Sequence, residues 1–273
     1  MSKLDLAAVQ RPLTQLANSR LEKIEAFSSI ASTNTYLLTQ AAPAAGQYRV
    51  AVADHQTSGR GRHYRRWISA PGAGLCLSFS FTFAAMPEQL PALTLAIGVA
   101  VIHALQDLQV DGVSLKWPND IVALDRKLGG ILTEVQSGSG DGVTVVTGIG
   151  LNVRLGEHID LSAESDWAHR AIDLSSLRSE PPTRELLAGT IVEKLHTAFT
   201  EFELSGFAGF ANDWQRFDWL RGKEITVDMP GKQMTGIAAG VDDDGALLID
   251  GKSGRERVIS GSIVMAGLAE PGV

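Results

Sequence analysis

The sequence has a single cysteine, Cys76, among its 273 residues, so no disulfide can form within the chain. The residues around it, GLCLSFSF, indicate a core strand position rather than a nucleophile. The six histidines are scattered, and no two of them have the spacing of metal ligands. Neither a disulfide-stabilised fold nor a fixed metal site is therefore predicted.

The N-terminus lacks the basic segment and short apolar segment of a secretory signal peptide. No apolar run approaches the ~20 residues of a membrane span. The net charge of −7 excludes a surface that is mainly a nucleic-acid footprint, because nucleic-acid-binding domains are usually basic. With 44% hydrophobic residues, the composition is that of a globular protein, and a cytoplasmic location without membrane association is expected.

One stretch, Ser58 to Trp67 (SGRGRHYRRW), concentrates positive charge on this acidic chain. Glycines alternate with arginines at its start. Glycine permits φ > 0 and a close approach of the backbone to a ligand, and the planar fork of arginine matches phosphate oxygens. The stretch is therefore a candidate phosphate-binding loop. A solvated basic loop or a nucleic-acid contact are the alternatives that charge alone leaves open.

The hydrophobic pattern predicts an α+β fold with more than one domain. Strict alternation from Leu75 to Phe83 predicts a strand with one face on the core. Residues 113–153 are expected to form an antiparallel meander that includes a hairpin turn at Asp141-Gly142. Further strands are predicted at 24–30 and 48–53, and helices at 1–21, through 36–38, at 91–108, 184–202 and 206–219. Five short strands beyond residue 220, joined by glycine-containing turns, suggest a small barrel. Three parts of the chain are predicted. Residues 1–21 form a short helical segment, residues 22–219 form the main domain, and residues 220–273 form the small barrel.

Three further motifs accompany the Gly/Arg loop in a fixed order. KWPND spans Lys116 to Asp120, KLGGIL begins at Lys127, and GIGLNV begins at Gly148. Upstream, Ser32-Thr33-Asn34 offers polar groups at the start of a predicted helix, and Gln56 ends a predicted strand, where ligand contacts are common. Each motif alone is weak, but their combination is much more specific.

With these motifs the sequence resembles the biotin protein ligases, which activate biotin with ATP and attach it to a lysine of a carrier protein. The resemblance covers about residues 22–219 and extends more weakly through 245–248 and 260–261. It implies a class II synthetase-like catalytic domain, built on a central mixed or antiparallel sheet with helices, followed by a small C-terminal SH3-like β-barrel.

The resemblance also implies roles for individual residues. The expected biotin-binding residues are Ser32, Thr33, Asn34, Gln56, Gly59, Arg60, Gly61, Arg62 and Lys127. The expected ATP- and adenylate-binding residues are Arg62, Arg65, Trp67, Lys116, Asn119, Lys127 and Asn152. Arg62, Lys127 and Asp120 are expected to act in the reaction, with Mg²⁺ arriving on ATP rather than at a fixed protein site.

Two departures from the family pattern qualify these expectations. The family usually has glycine where Tyr64 stands and commonly a basic residue at His63, which bears on how the loop closes. Residues 1–21 are too short for the DNA-binding domain of bifunctional relatives. The expected protein is therefore a monofunctional ligase without specific DNA binding, a monomer or weak homodimer. Its expected partner is the biotin carboxyl carrier protein of acetyl-CoA carboxylase or of another biotin-dependent carboxylase.

Two functions other than biotin protein ligation are compatible with the same residues. A lipoate–protein ligase would use a related fold and the same acyl-adenylate chemistry on another acid. A non-enzymatic biotin-sensing or nucleic-acid-binding regulator would use the arginine loop for binding alone. Duplex binding through several phosphates would weaken steeply with salt, which distinguishes the second alternative from an enzyme.

Overall fold

The computed structural model describes residues 4–136, 142–156 and 171–265, and a seven-stranded sheet forms its centre. The strands of this sheet are β1 (Leu21–Phe27), β2 (Tyr48–Ala53), β3 (Gly74–Phe83), β4 (Val113–Lys116), β5 (Asp120–Ala123), β6 (Arg126–Gln136) and β7 (Val143–Asn152). They lie in the order β1-β2-β3-β7-β6-β5-β4. The β1–β2 pair is parallel and every other pair is antiparallel, so the predicted mixed sheet and the meander from β4 to β7 are confirmed.

Seven α-helices accompany the sheet in the described residues. They are α1 (Leu6–Gln10), α2 (Gln15–Arg20), α3 (Thr33–Leu38), α4 (Leu93–Asp107), α5 (Leu174–Leu177), α6 (Arg184–Ser205) and α7 (Ala211–Phe217). The long helices α4 and α6 pack together on one face of the sheet, where the ring of Phe199 lies 5.1–5.6 Å from those of Phe79, Phe81 and Phe83. These phenylalanines form the centre of the core.

The other face of the sheet is covered by the short helix α3. Leu37 of α3 packs with Ala51 and Val146 in a second, smaller apolar cluster. Strand β3 is consequently buried on both faces, which corrects the prediction of one core face. The reason is that its polar face, which includes Ser78, lies beneath α3 and is satisfied by hydrogen bonds rather than by water.

Three boundaries differ from the sequence prediction. The single helix expected over residues 1–21 is two short helices, because Pro12 interrupts the first and Thr14 caps the second, with β1 following at once. The predicted strand 24–30 lies at Leu21–Phe27. The predicted helix 206–219 begins as a 3₁₀ turn at Gly206–Gly209 before α7. Asp141, in the predicted hairpin turn, lies outside the described residues, as do His158 and His169.

A second, five-stranded antiparallel sheet follows from residue 224. Its strands are β8 (Glu224–Met229), β9 (Lys232–Val241), β10 (Leu247–Gly251), β11 (Gly254–Val258) and β12 (Ser262–Met265), in the order β11-β10-β9-β8-β12. This sheet is the predicted small C-terminal barrel. The division of the chain at residues 21 and 219 stays a prediction.

The barrel packs on the larger sheet through a turn that only glycine can form. Gly245 has φ +79°, and a β-carbon there would lie 2.9 Å from Cα of Ala92 at the start of α4. The carbonyl of Gly245 accepts a hydrogen bond of 3.0 Å from Nε1 of Trp117, in the KWPND motif. The second sheet is therefore held directly against the segment that carries Lys116 and Asp120.

Helix α4 lies within a long apolar segment of the described residues. Residues Leu90–Asp107 have a mean hydropathy of 1.5, long and apolar enough to cross a membrane by composition, although 67% of this segment is buried inside the protein. The expectation that no apolar run nears that length is therefore wrong for this segment. Its position beside α6 on the core face of the sheet is that of a core helix.

Candidate active site

A cavity of about 370 Å³ is lined by residues of both sheets. Its wall includes the N-terminus of α3, the Gly/Arg loop, the KWPND segment, the glycine-rich parts of β6 and β7, and residues 261–264 of the barrel. The four motifs that are far apart in sequence therefore meet around one space. This arrangement is what a site for a ligand with two chemically different ends requires.

The Gly/Arg loop folds back on itself, and backbone hydrogen bonds join its beginning to its end. The amide of Trp67 donates to the carbonyl of Gly59 (3.0 Å), and that of Gly61 donates to the carbonyl of Arg65 (2.7 Å). The one positive φ in the loop is at His63 (+52°), not at a glycine. Gly59 is needed for space instead, because a β-carbon there would lie 2.3 Å from the Trp67 carbonyl oxygen. The side chain of Tyr64 lies outside the described part of the structure.

One end of the cavity is strongly cationic. Arg62, Arg65, Lys116 and Lys127 line it together with Asp120. The Lys127 ammonium lies 2.6 Å from Oδ1 of Asp120. Asp228 of the barrel also lines the cavity, so the cationic side chains outnumber the carboxylates at this end, which favours an anionic ligand with several negative charges.

Burial changes the proton affinity of two of these cations. Lys116 is only 4% exposed, and burial lowers its pKa to about 8, against the opposing influence of Asp120. Burial also lowers the pKa of Arg62, again opposed by Asp120. Both shifts arise because a charged group is held out of water, so an incoming anion would stabilise the protonated forms.

The opposite end of the cavity is neutral and polar. Oε1 of Gln56 accepts from the backbone N–H of Thr33 (2.8 Å) and from its hydroxyl (3.1 Å). Ser32 caps α3 by accepting from the amide of Thr35. Asn34, 3% exposed, accepts from the Ser78 hydroxyl at 2.6 Å. These donors and acceptors are held rigidly, as recognition of a neutral polar head group requires.

Two glycines of β7 leave room for two side chains of the site. A β-carbon on Gly148 would lie 2.4 Å from Oδ1 of Asn34, and one on Gly150 would lie 2.4 Å from Cε2 of Trp67. Gly130 of β6 pairs directly with Gly150, and a β-carbon on Gly130 would lie 3.7 Å from Nζ of Lys127 and 3.8 Å from Cζ3 of Trp67. The glycines of the GIGLNV and KLGGIL motifs thus shape the cavity floor.

The two asparagines expected on the nucleotide side also hold the scaffold. Nδ2 of Asn119 donates to the carbonyl of Ile131 (2.7 Å), and Nδ2 of Asn152 donates to that of Ile172 (3.0 Å). Both residues line the cavity. Their amide nitrogens therefore hold neighbouring backbone segments in position at the cavity wall.

The structure brings nearly all the predicted site residues together. The residues on the cavity wall are Ser32, Thr33, Asn34, Gln56, Arg60, Gly61, Arg62, Arg65, Trp67, Lys116, Asn119, Asp120, Lys127 and Asn152. Gly59 is not on the cavity wall, and its carbonyl accepts the hydrogen bond from the Trp67 amide that closes the loop. Cys76 is in strand β3 and buried, as predicted, although it also reaches the cavity. Among the described residues there is no cluster of three side chains suited to a metal ion.

Sequence reasoning missed two contributions. Glu134 of β6 contacts both Arg60 and Asn34, and its only signal was a charge within the apolar strand ILTEV. Ser260 and Ser262 of the barrel accept hydrogen bonds from Arg62 (3.5 Å) and Arg65 (3.2 Å). No local pattern reveals contacts between residues nearly 200 positions apart.

Comparison with known proteins agrees with this geometry. Residues 26–152 match the Biotin/lipoate A/B protein ligase family, and residues 221–265 match the Biotin protein ligase C terminal domain. A biotin–acetyl-CoA-carboxylase ligase from Mycobacterium tuberculosis is 33% identical over 256 residues, 91% of each chain. The bifunctional ligase/repressor BirA of Salmonella typhimurium is 33% identical over 224 residues, 81% of this chain and 67% of that protein.

Solved structures give the same result. The biotin protein ligase from Aquifex aeolicus in complex with biotin and ATP has a TM-score of 0.71 and 27% identity, covering 90% of this chain and 97% of that one. Fold and site together define a protein ligase with a catalytic sheet and a C-terminal barrel. The chain belongs to the biotin protein ligase family.

Proposed function

We propose that this protein activates biotin with ATP to form biotinyl-5′-AMP and transfers the biotinyl group to a lysine of a biotin carboxyl carrier protein. The observation that carries the proposal is the two-ended cavity. Its neutral end, at Thr33, Asn34 and Gln56, offers fixed donors and acceptors for an uncharged ureido ring. Its cationic end, around Lys116 and Lys127, suits a polyphosphate.

In the first step, a carboxylate oxygen of biotin attacks the α-phosphorus of ATP, and pyrophosphate leaves with the bonding electron pair. Two anions must approach each other, so the step requires positive charge at the reacting atoms. Lys127 lines the cationic end of the cavity, with its ammonium 2.6 Å from Oδ1 of Asp120. We assign it the contact with the reacting carboxylate and phosphate. Arg62 and Arg65 hold the phosphates, and Trp67 lines the nucleotide side.

The residues present fit a magnesium ion carried by ATP. Mg²⁺ is commonly held by one or two carboxylates together with substrate phosphates, rather than by a cage of protein ligands. Asp120, the carboxylate within the cationic end, would be its protein contact. The ion would supply neutralisation of the phosphate charge.

In the second step, the neutral amine of the carrier lysine attacks the acyl carbonyl, the amine loses a proton, and AMP leaves with the electrons of the acyl–phosphate bond. Before that attack, the adenylate must be kept from water. The Gly/Arg loop, which lies against the barrel through Arg62 and Arg65, is the segment placed to cover it. We assign Asp120 the orientation of either the metal or the incoming amine.

The proposed partner is the carrier domain of a biotin-dependent carboxylase, in keeping with the names of the M. tuberculosis and Paracoccus denitrificans relatives. We propose ligase activity without specific DNA binding, in the cytoplasm, by a monomer or weak homodimer.

The test is transfer of biotin to a purified apo carrier domain in the presence of Mg-ATP, followed by mass spectrometry of the carrier. We expect a mass gain of one biotinyl group that depends on ATP and is lost when Mg²⁺ is omitted. Mass gain with lipoate on a lipoyl domain, but not with biotin, would instead identify a lipoate ligase. Failure with both acids would contradict the proposal and leave a binding role.

A further inference from the structure

The carboxylate of Glu134 joins the Gly/Arg loop to the neutral end of the cavity. Nη2 of Arg60, in the loop, donates to both carboxylate oxygens of Glu134. Nδ2 of Asn34, at the start of α3, donates to Oε2 of the same carboxylate at 3.0 Å. One side chain of β6 therefore contacts two parts of the site that are otherwise separate elements.

The two partners of Glu134 differ in how firmly they are held. Asn34 is buried and is fixed a second time by the carbonyl of Leu132, at 3.1 Å, and a third time by the Ser78 hydroxyl. Arg60 has a side chain that is 43% exposed, and the pair with Glu134 is its side-chain anchor. The carboxylate of Glu134 thus links the fixed start of α3 to the start of the Gly/Arg loop.

Arg60 also differs from the other arginines of the loop. Arg62 and Arg65 lie at the cationic end, near Asp120 and the barrel serines. Arg60 is paired with a carboxylate on the neutral side instead. Its charge is already compensated there, so it is poorly suited to hold a phosphate.

We infer that Glu134 is a positioning residue that anchors the start of the Gly/Arg loop through Arg60 and sets it against the biotin-binding end of the cavity. Arg60 is accordingly an anchor of the loop and not a phosphate ligand. The effect on biotin rests on the proposed function. The effect on the loop itself does not, because the Arg60–Glu134 pair exists without substrate.

The decisive variant is Glu134→Gln. The amide oxygen of glutamine can still accept from Asn34 Nδ2, so the start of α3 is preserved, while the ion pair with Arg60 and one of its two acceptor oxygens are lost. Glu256→Gln, which neutralises an exposed pair with Lys232 on the barrel, is the matched control. Both variants remove one negative charge from a partly exposed ion pair.

Two readouts follow. Limited trypsin digestion without substrate, with cleavage after Arg65 and Arg66 measured by mass spectrometry, reports the freedom of the loop. We expect Glu134→Gln to be cut about threefold to fivefold faster than the wild type or the control, since partly exposed ion pairs contribute modestly. In adenylate formation followed by pyrophosphate release, KM for biotin should rise by a similar factor while kcat and KM for ATP stay within about twofold.

A double-variant cycle makes the inference falsifiable even if one variant folds poorly. Arg60→Gln alone should reproduce both effects, and Arg60→Gln combined with Glu134→Gln should be no worse than either single variant, because the two side chains act as one unit. Glu134→Asp, which keeps the charge, should restore part of the protection from trypsin.

Three outcomes would overturn the inference: unchanged loop cleavage in Glu134→Gln, effects of the two single variants that add, or a rise in KM for ATP that exceeds the rise for biotin. The last would indicate that Arg60 binds phosphate. If the wild type transferred no biotin, the proposed function would fail while the trypsin comparison still decided whether the anchor exists.

Discussion

The indole of Trp67 lies directly over Gly150 of β7, so closely that a β-carbon at Gly150 would be 2.4 Å from Cε2 of the ring. The tryptophan that ends the Gly/Arg loop therefore depends on a glycine in a strand more than 80 residues later in the sequence. Gly130, the cross-strand neighbour of Gly150, lies beside the same ring but would accept a β-carbon at 3.8 Å.

We predict that Gly150→Ala displaces the indole and weakens nucleotide binding. Overpacking of this kind costs about 1–3 kcal/mol, so KM for ATP in pyrophosphate release should rise about tenfold while KM for biotin changes little. Gly251→Ala on the barrel is the control, since a β-carbon there would lie no closer than 3.7 Å to any atom and Gly251 is outside the cavity. Equal effects of the two substitutions would show that the Trp67 contact is not the cause.

Gly148→Ala should weaken the binding of biotin rather than that of ATP. A β-carbon at Gly148 would be 2.4 Å from Oδ1 of Asn34, which its hydrogen bonds to Leu132 and Glu134 hold in place. We expect KM for biotin to rise about tenfold with KM for ATP nearly unchanged. Measuring KM for biotin and KM for ATP in both Gly148→Ala and Gly150→Ala shows which end of the cavity binds which substrate. A larger effect of Gly148→Ala on ATP would reverse our assignment of the two ends.

Lys127→Ala should slow adenylate formation itself. Removal of an electrostatic contact made at the reacting atoms typically lowers a rate by about 10²-fold. The rate of biotin-dependent pyrophosphate release in a single turnover is the measurement. Lys232→Ala, which removes an exposed lysine from the barrel, is the control. Adenylate formation at the normal rate in Lys127→Ala would show that Lys127 has no role in the reaction.

The pH dependence of ATP binding should report Lys116. Burial lowers its pKa to about 8, so the side chain is protonated below that pH and neutral above it. Only the protonated form attracts phosphate, so affinity for a non-hydrolysable ATP analogue should decrease as pH rises from 7 to 9, when measured by calorimetry. In Lys116→Met the binding should be weaker and this decrease should disappear. A decrease of the same size in the variant would assign it to another group.

Much of this protein follows from local patterns in the chain. The period-two alternation of LCLSFSF specifies strand β3, because side chains of a strand point alternately to its two faces. Tyr48–Ala53 and the cap at Ser32 were likewise predictable, since the groups involved are neighbours in sequence. The order of the glycine, arginine and lysine motifs was enough to indicate the family and the residues of the site.

The tertiary structure decided what depends on elements distant in sequence. Both faces of β3 are buried because α3 covers the polar one, and the alternation itself cannot reveal a covering helix. The pairing of Arg60 with Glu134, 74 residues apart, is likewise invisible to any local pattern. Side-chain chemistry and local backbone preference act over a few residues and can be read from the sequence, whereas burial and charge pairing arise only when the folded chain brings distant residues into contact.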